Sequence, residues 1–238
     1  MSERAPLRPR DATRHPPALT PGYRSTALRA PLHRPISLPS TPTELHGPVF
    51  GESDLGPLDA DLLANFARPG YSPIGPRIRV HGRVLDGEGR PVPRTLVEIW
   101  QANAGGRYRH PRESYIAPLD EDFGGCGRAL TDGEGYYAFR TVMPAAYPFP
   151  NGPNSWRPAH IHFSVFGSGF GQRLVTQMYF AGDPLIPLCP IAGAIPDAAA
   201  LDRLTARLDM DAARPFNALA WRFDVTLRGP AATPTEAP

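Results

Sequence analysis

Pro158-Ala159-His160-Ile161-His162-Phe163-Ser164-Val165-Phe166 is the stretch on which the reading of this chain turns. Ile161, Phe163 and Val165 alternate with polar positions, the period-two pattern of a half-buried β-strand. In such a strand His160 and His162 share one face, and the three apolar side chains share the other, toward a core. Two neutral imidazoles side by side suit one zinc, copper, iron or nickel ion. They suit surface or hydrogen-bonded histidines as well. No zinc-type spacing supplies further ligands: H-E-x-x-H and C-x-x-C are both missing from the sequence.

Outward from this strand the pattern repeats. Ile78, Val80 and Val84 alternate with polar residues up to the turn Asp86-Gly87-Glu88-Gly89, and Val97 and Ile99 resume beyond Pro91 and Pro93. Gly127–Thr131 and Tyr136–Val142 flank Asp132-Gly133-Glu134-Gly135, which predicts a hairpin. Leu174–Phe180 and Trp221–Leu227 add strands, the latter with Trp221, Phe223, Val225 and Leu227 on one face. Short helices are expected at Leu58–Ala67 and Asp197–Asp209. In the second, Asp197 is placed to cap, and Leu201, Leu204 and Leu208 recur at helical spacing. Short strands separated by turn signals predict a mainly β fold, a β-sandwich of mixed and antiparallel sheets with short helices. The chain has 238 residues, enough for one such core. The expected division is an extended arm over 1–50 and the sandwich over 51–238.

The arm stands out by composition. The first fifty residues hold ten of the 31 prolines, and up to Ile36 seven arginines face only Glu3 and Asp11. This local excess of +5 leaves −3 for the remainder of a chain whose net charge is +2. Such a segment does not fold alone and reads as lying on a partner or on its own core. It has almost no aromatic residues for base stacking, and the overall charge is small, so nucleic acid is not an expected partner. No run reaches the roughly 18 apolar residues of a spanning helix, so no membrane association is expected. The start lacks a secretory apolar stretch, and two cysteines make no disulfide framework; a bacterial cytoplasm is the expected compartment. Cys126 and Cys189 are expected to be buried small apolar residues.

Two tyrosines complete the chemistry-bearing set. Tyr147 lies in the Pro-rich Ala146-Tyr147-Pro148-Phe149-Pro150-Asn151-Gly152-Pro153, and Tyr108 in the Gly-rich Gly105-Gly106-Arg107-Tyr108-Arg109-His110. A phenol with a pKa of about 10 ionises at neutral pH only beside a strong positive charge. Phenolate is a hard anionic donor, so two phenolates with two imidazoles would favour ferric over ferrous iron. Simple packing of the tyrosines on their loops is the alternative. Arg157, just ahead of the histidine strand, is placed to hold anionic charge on a ligand, or else to pair with Glu98 or Asp183.

With these residues quoted, the chain resembles the intradiol ring-cleaving catechol dioxygenases, over about Pro16 to Gly229. The resemblance rests on the blocks Pro93–His110, Asn151–Phe163 and Gly182-Asp183-Pro184-Leu185-Ile186-Pro187. It implies Fe(III) held by Tyr108, Tyr147, His160 and His162, with Tyr147 the ligand that leaves when a catechol and O2 are processed. It implies that Arg157 and Gln177 line the reacting ring, that Trp100 and Ile191 shape the pocket, and that Tyr23 of the arm closes it. Phe149 stands where the family usually has tryptophan, so one indole donor is missing from the pocket wall. The resemblance also implies 3,4-dihydroxybenzoate as substrate and a homologous α subunit as partner in a larger αβ oligomer. A non-catalytic β-sandwich binding module, a catechol or hydroxyquinol dioxygenase and a zinc hydrolase are the competing readings.

Overall fold

The computed structural model describes residues 16–33, 55–166 and 173–235. Eleven strands are present among them: β1 (Arg77–Leu85), β2 (Leu96–Gln101), β3 (Cys126–Leu130), β4 (Tyr136–Val142), β5 (Tyr147–Pro148), β6 (Trp156–Arg157), β7 (His160–Phe166), β8 (Arg173–Phe180), β9 (Thr205–Leu208), β10 (Leu219–Arg222) and β11 (Val225–Thr226). Nine of them hydrogen-bond in the order β11-β1-β10-β9-β8-β7-β2-β3, with β4 on β1, while β5 and β6 form a separate ribbon. β1 runs parallel to β10 and β11 and antiparallel to β4, so pairing is mixed. β9 joins the two layers: it is parallel to β8 and antiparallel to β10.

The core forms where the layers meet. Ile78, Val80, Val84, Tyr137 and Phe139 from one layer pack with Val97, Ile99, Ile161, Phe163, Val165 and Met178 from the other. Phe163 is fully buried, its ring centroid 5.9 Å from Tyr137 and 5.0 Å from Phe223. Phe163→Ala is expected to cost about 3–5 kcal/mol, the transfer term plus the cavity it leaves. Urea unfolding measures this, and a cost near zero would contradict the layer contact. The mainly β sandwich and the inward face of the histidine strand are as the alternation predicts.

Several local expectations need correction. The 132–135 turn forms, with Asp132 N donating to Tyr136 O at 3.0 Å, yet the strands beside it do not pair with each other. β3 pairs with β2 and β4 with β1, so the turn crosses from one layer to the other. Pairing on β1 is what carries Tyr137 and Phe139 into the shared core. A turn signal sets a reversal, not a partner.

Leu58–Ala67 is a series of turns rather than a helix. Its backbone bonds outward: Leu62 N to Arg140 O at 2.8 Å, Arg140 N to Ala60 O at 3.0 Å, and Arg128 N to Asp59 O at 2.9 Å. Leu62 and Leu63 are buried by this docking. In the 197–209 stretch only Ala198–Asp202 is helical, capped by Asp197, which accepts from Ala199 N at 3.0 Å. From Thr205 the backbone is claimed by β8 and β10, and Leu208 stays 45% exposed.

The Trp221–Leu227 strand is two strands, β10 and β11, broken at Phe223 and Asp224. The break lies against Gly82, where an added Cβ would sit 1.9 Å from Phe223 O. Only glycine admits that approach. In the arm, Ser25–Arg29 forms one helical turn where extended chain was expected. The arm's other residues, 1–15 and 34–50, lie outside the described residues, as does the expected boundary at 50. Cys189 is buried as expected, but Cys126 is exposed; both are free thiols.

Candidate active site

β7 sits between β2 and β8, and its outer face carries the histidines. His162 lies opposite Trp100 on β2 and Gln177 on β8, and His160 lies opposite Tyr179. His160 Nδ1 is 2.7 Å from Pro158 O and donates to it, which leaves the Nε2 lone pair free. Burial, reinforced by the neighbouring Arg157 cation, holds the His160 pKa well below the ordinary histidine value. The imidazole is therefore neutral, as a metal ligand must be. The Trp100 indole stacks flat on His162, centroids 4.8 Å apart with 4° between planes.

The tyrosines arrive on loops that must nearly touch. Gly106 adopts φ +83°, and a Cβ there would lie 2.6 Å from Ala146 O. Glycine thus lets the Tyr108 loop close against the Tyr147 loop. Asn103 Oδ1 fixes the turn by accepting from Gly105 N at 2.9 Å and Arg107 N at 3.0 Å. Tyr147 is held in the ribbon, directly opposite Arg157.

All four side chains share a focus. Tyr108 Oη is 3.4 Å from His160 Nε2 and 3.2 Å from His162 Nε2, and Tyr147 Oη is 3.3 Å from His160 Nε2. Donors on one ion with bonds of about 2.0–2.1 Å stand about 2.9–3.4 Å apart. Among the described residues no group of three His, Cys, Asp or Glu could hold a metal, so a two-histidine carboxylate set is not available there. Burial pushes the Tyr147 phenol above its ordinary pKa, against the pull of Arg157 and Tyr108. A phenolate here needs a strong cation, and a hard trivalent one fits the donor set.

Arg157 is 3% exposed and Gln177 2%. The guanidinium Nη2 donates to Gln177 Oε1. Burial opposes its charge, but the surrounding Tyr179, Tyr147 and Cys189 raise its pKa above the arginine norm, so it stays cationic. It pairs with neither expected carboxylate. Asp183 accepts from Ala159 N at 3.0 Å and Leu185 N at 2.9 Å, while Glu98 faces Arg173 at 4.0 Å. Arg157 Nε and Gln177 Nε2 are buried without a hydrogen-bond partner. Two orphaned donors beside a metal-type donor cluster call for an anionic or oxygen-bearing ligand.

The walls also assemble. Tyr23 is buried, its ring 5.8 Å from Phe149, and it packs with Tyr179, Cys189 and Ile191. Phe149 in turn lies beneath the Arg157 guanidinium at 5.7 Å. Asn151 clasps the arm, accepting from Arg24 N at 2.8 Å and donating to Gly22 O at 2.9 Å. A groove of about 420 Å³ bordered by Glu98, Trp100, Cys126, Arg128 and Arg173 contains none of the four donors. Sequence reading overlooked Tyr179 and Asn151. Tyr179 had a signal, two residues from Gln177 on the same strand face; Asn151 had none, because its role depends on the arm's position.

A family model described as dioxygenase matches residues 45–229, and one described as the N-terminal part of the protocatechuate 3,4-dioxygenase beta subunit matches 8–41. The chain belongs to the intradiol ring-cleaving dioxygenases, a family dependent on non-haem iron. Protocatechuate 3,4-dioxygenase beta chain of Burkholderia cepacia is 52% identical over 230 residues, 97% of each chain. Catechol 1,2-dioxygenase of Acinetobacter baylyi is 34% identical over 160 residues, 61% of this chain and 48% of that protein. The crystal structure of 3-chlorocatechol 1,2-dioxygenase from Rhodococcus opacus matches with TM-score 0.52 at 28% identity, covering 76% of this chain and 70% of that one. Among the described residues no helix is long and apolar enough to cross a membrane.

Proposed function

We propose that this chain is the iron-bearing β chain of a protocatechuate 3,4-dioxygenase. It opens 3,4-dihydroxybenzoate between its hydroxylated carbons with both atoms of O2, giving 3-carboxy-cis,cis-muconate in the β-ketoadipate route of aromatic catabolism. The observation that carries this reading is that the Tyr108 oxygen lies 3.4 and 3.2 Å from the His160 and His162 Nε2 atoms and the Tyr147 oxygen 3.3 Å from His160 Nε2. Tyr108, Tyr147, His160 and His162 would hold Fe(III). When bound, ferric iron supplies the Lewis acidity that draws electron density from a chelating catecholate.

This chain's own residues do the rest. The Tyr147 Oη, as phenolate, takes a catechol hydroxyl proton. Arg157 offers a fixed buried cation to negative charge gathering on the ring, and Gln177 Nε2 adds a neutral donor beside it. Both are in place before substrate arrives, so no reorganisation is needed. Tyr23, Phe149, Trp100 and Ile191 form apolar walls that limit water around the reacting ring. With Phe149 in place of an indole, that wall grips by packing alone. Residues 51–238 form the catalytic domain and 1–50 the arm. The B. cepacia relative is named a beta chain; accordingly a homologous α subunit is the partner here, in an αβ oligomer of the bacterial cytoplasm.

Purified protein is expected to be red-brown from tyrosinate-to-iron charge transfer. Adding protocatechuate without oxygen should shift the band, and admitting oxygen should give 3-carboxymuconate. A yellow semialdehyde product, or a colourless protein with stoichiometric zinc, overturns the proposal.

A further inference from the structure

We infer that Tyr179 is a positioning residue that locks the Gln177 amide so that its N–H group, together with Arg157, faces the substrate. The inference rests on the function proposed above and deepens it. Gln177 Oε1 receives two donors at once: the Arg157 Nη2, and the Tyr179 hydroxyl at 3.2 Å. An amide so held has one orientation. Flipping it would set its NH2 against the guanidinium, donor facing donor, and would force the Tyr179 hydroxyl to stop donating and accept instead. The locked orientation sends Gln177 Nε2 the other way, and that atom is buried with no partner.

Tyr179 is suited to this task in three respects. It lies opposite His160 across the β7–β8 pairing, so its backbone is fixed by the same strands that fix the two histidines. It is 1% exposed, and Cys189 and Ile191 pack with it. Burial raises its pKa well above the phenol norm, so the hydroxyl keeps the proton it donates. Tyr179 itself has no place among the four converging donors. Its effect reaches the substrate through Gln177. Without it the amide is held by Arg157 alone and turns more freely. In the flipped state the carbonyl oxygen meets an electron-rich ring, and Arg157 loses its fixed partner.

The test uses the iron-loaded enzyme with its partner subunit. Tyr179→Phe should keep the visible band and the iron content, and bind protocatechuate anaerobically within about threefold of wild type. Its kcat should fall roughly five- to tenfold, the loss expected for one neutral buried hydrogen bond. A double-mutant cycle isolates the mechanism: Tyr179→Phe added to Gln177→Leu should lower kcat by no more than about twofold beyond Gln177→Leu alone. Additive losses, or an unchanged kcat in Tyr179→Phe, overturn the inference. Should Tyr179→Phe fail to accumulate, Gln177→Glu decides. It keeps both acceptor contacts but loses the outward N–H, so its kcat should fall at least tenfold with the anaerobic band shift retained; undiminished kcat overturns the inference. If the wild-type protein itself gives no ring cleavage and no anaerobic band shift, the proposed function fails, and that failure is seen before any variant is made.

Discussion

Arg157→Leu lowers kcat/KM for protocatechuate by about 10²- to 10³-fold while leaving the protein folded, iron-loaded and coloured. The magnitude is that of deleting one preorganised charge-stabilising donor from a water-poor site. Arg157 is nearly fully buried and cationic, with one N–H already committed to Gln177 and its Nε unpartnered. Leucine removes that charge without stranding a carboxylate, since the groups facing Arg157 are an amide, the Tyr179 hydroxyl, a thiol, the Phe149 ring and the Tyr147 oxygen, whose phenolate charge bound iron would balance. Gln177 Oε1 keeps its bond from Tyr179. The fold should therefore survive. The discriminating measurement is steady-state kinetics beside anaerobic substrate titration: binding should weaken far less than turnover. A fall in kcat/KM below tenfold would mean that the guanidinium serves packing rather than the developing anion.

His160→Ala abolishes iron retention and drops ring cleavage by at least about 10⁴-fold, toward the uncatalysed rate. Of the four donors, His160 touches both tyrosine hydroxyls, Tyr108 at 3.4 Å and Tyr147 at 3.3 Å, so its loss opens the cluster at its centre. Its side chain points away from the Ile161, Phe163 and Val165 face, which leaves the core intact. Iron analysis after gel filtration and the visible spectrum should both read near zero, with circular dichroism like wild type. Retention of full iron by His160→Ala would falsify the four-donor assignment. Tyr108→Phe or Tyr147→Phe, by contrast, should change the colour of whatever iron is retained.

The sandwich and its site were legible in the sequence to different depths, for physical reasons. Period-two alternation around His160 and His162 is a local property, and it correctly set which face meets the core. Partner choice between strands is not local. The Asp132–Gly135 turn reads the same whether its flanking strands pair or part, and here they join opposite layers. Leu58–Ala67 has helical apolar spacing, but its backbone divides its hydrogen bonds between its own turns and the neighbouring strands. Gly82 marks the break after β10 only once Phe223 is known to lie against it. Resemblance supplied the donor set, and loop closure at Gly106 is what brings its tyrosines together. Composition could not show that.

The Asn151 clasp bears on how such a site can diversify. Residues 16–33 carry Tyr23 to the site, and among the described contacts that hold it are one side-chain amide, two backbone groups and a buried ring, with no pairing to a strand of either layer. The segment is in effect an interchangeable cassette: substitutions in it would reshape the wall at Tyr23 while leaving untouched the strand that carries His160 and His162.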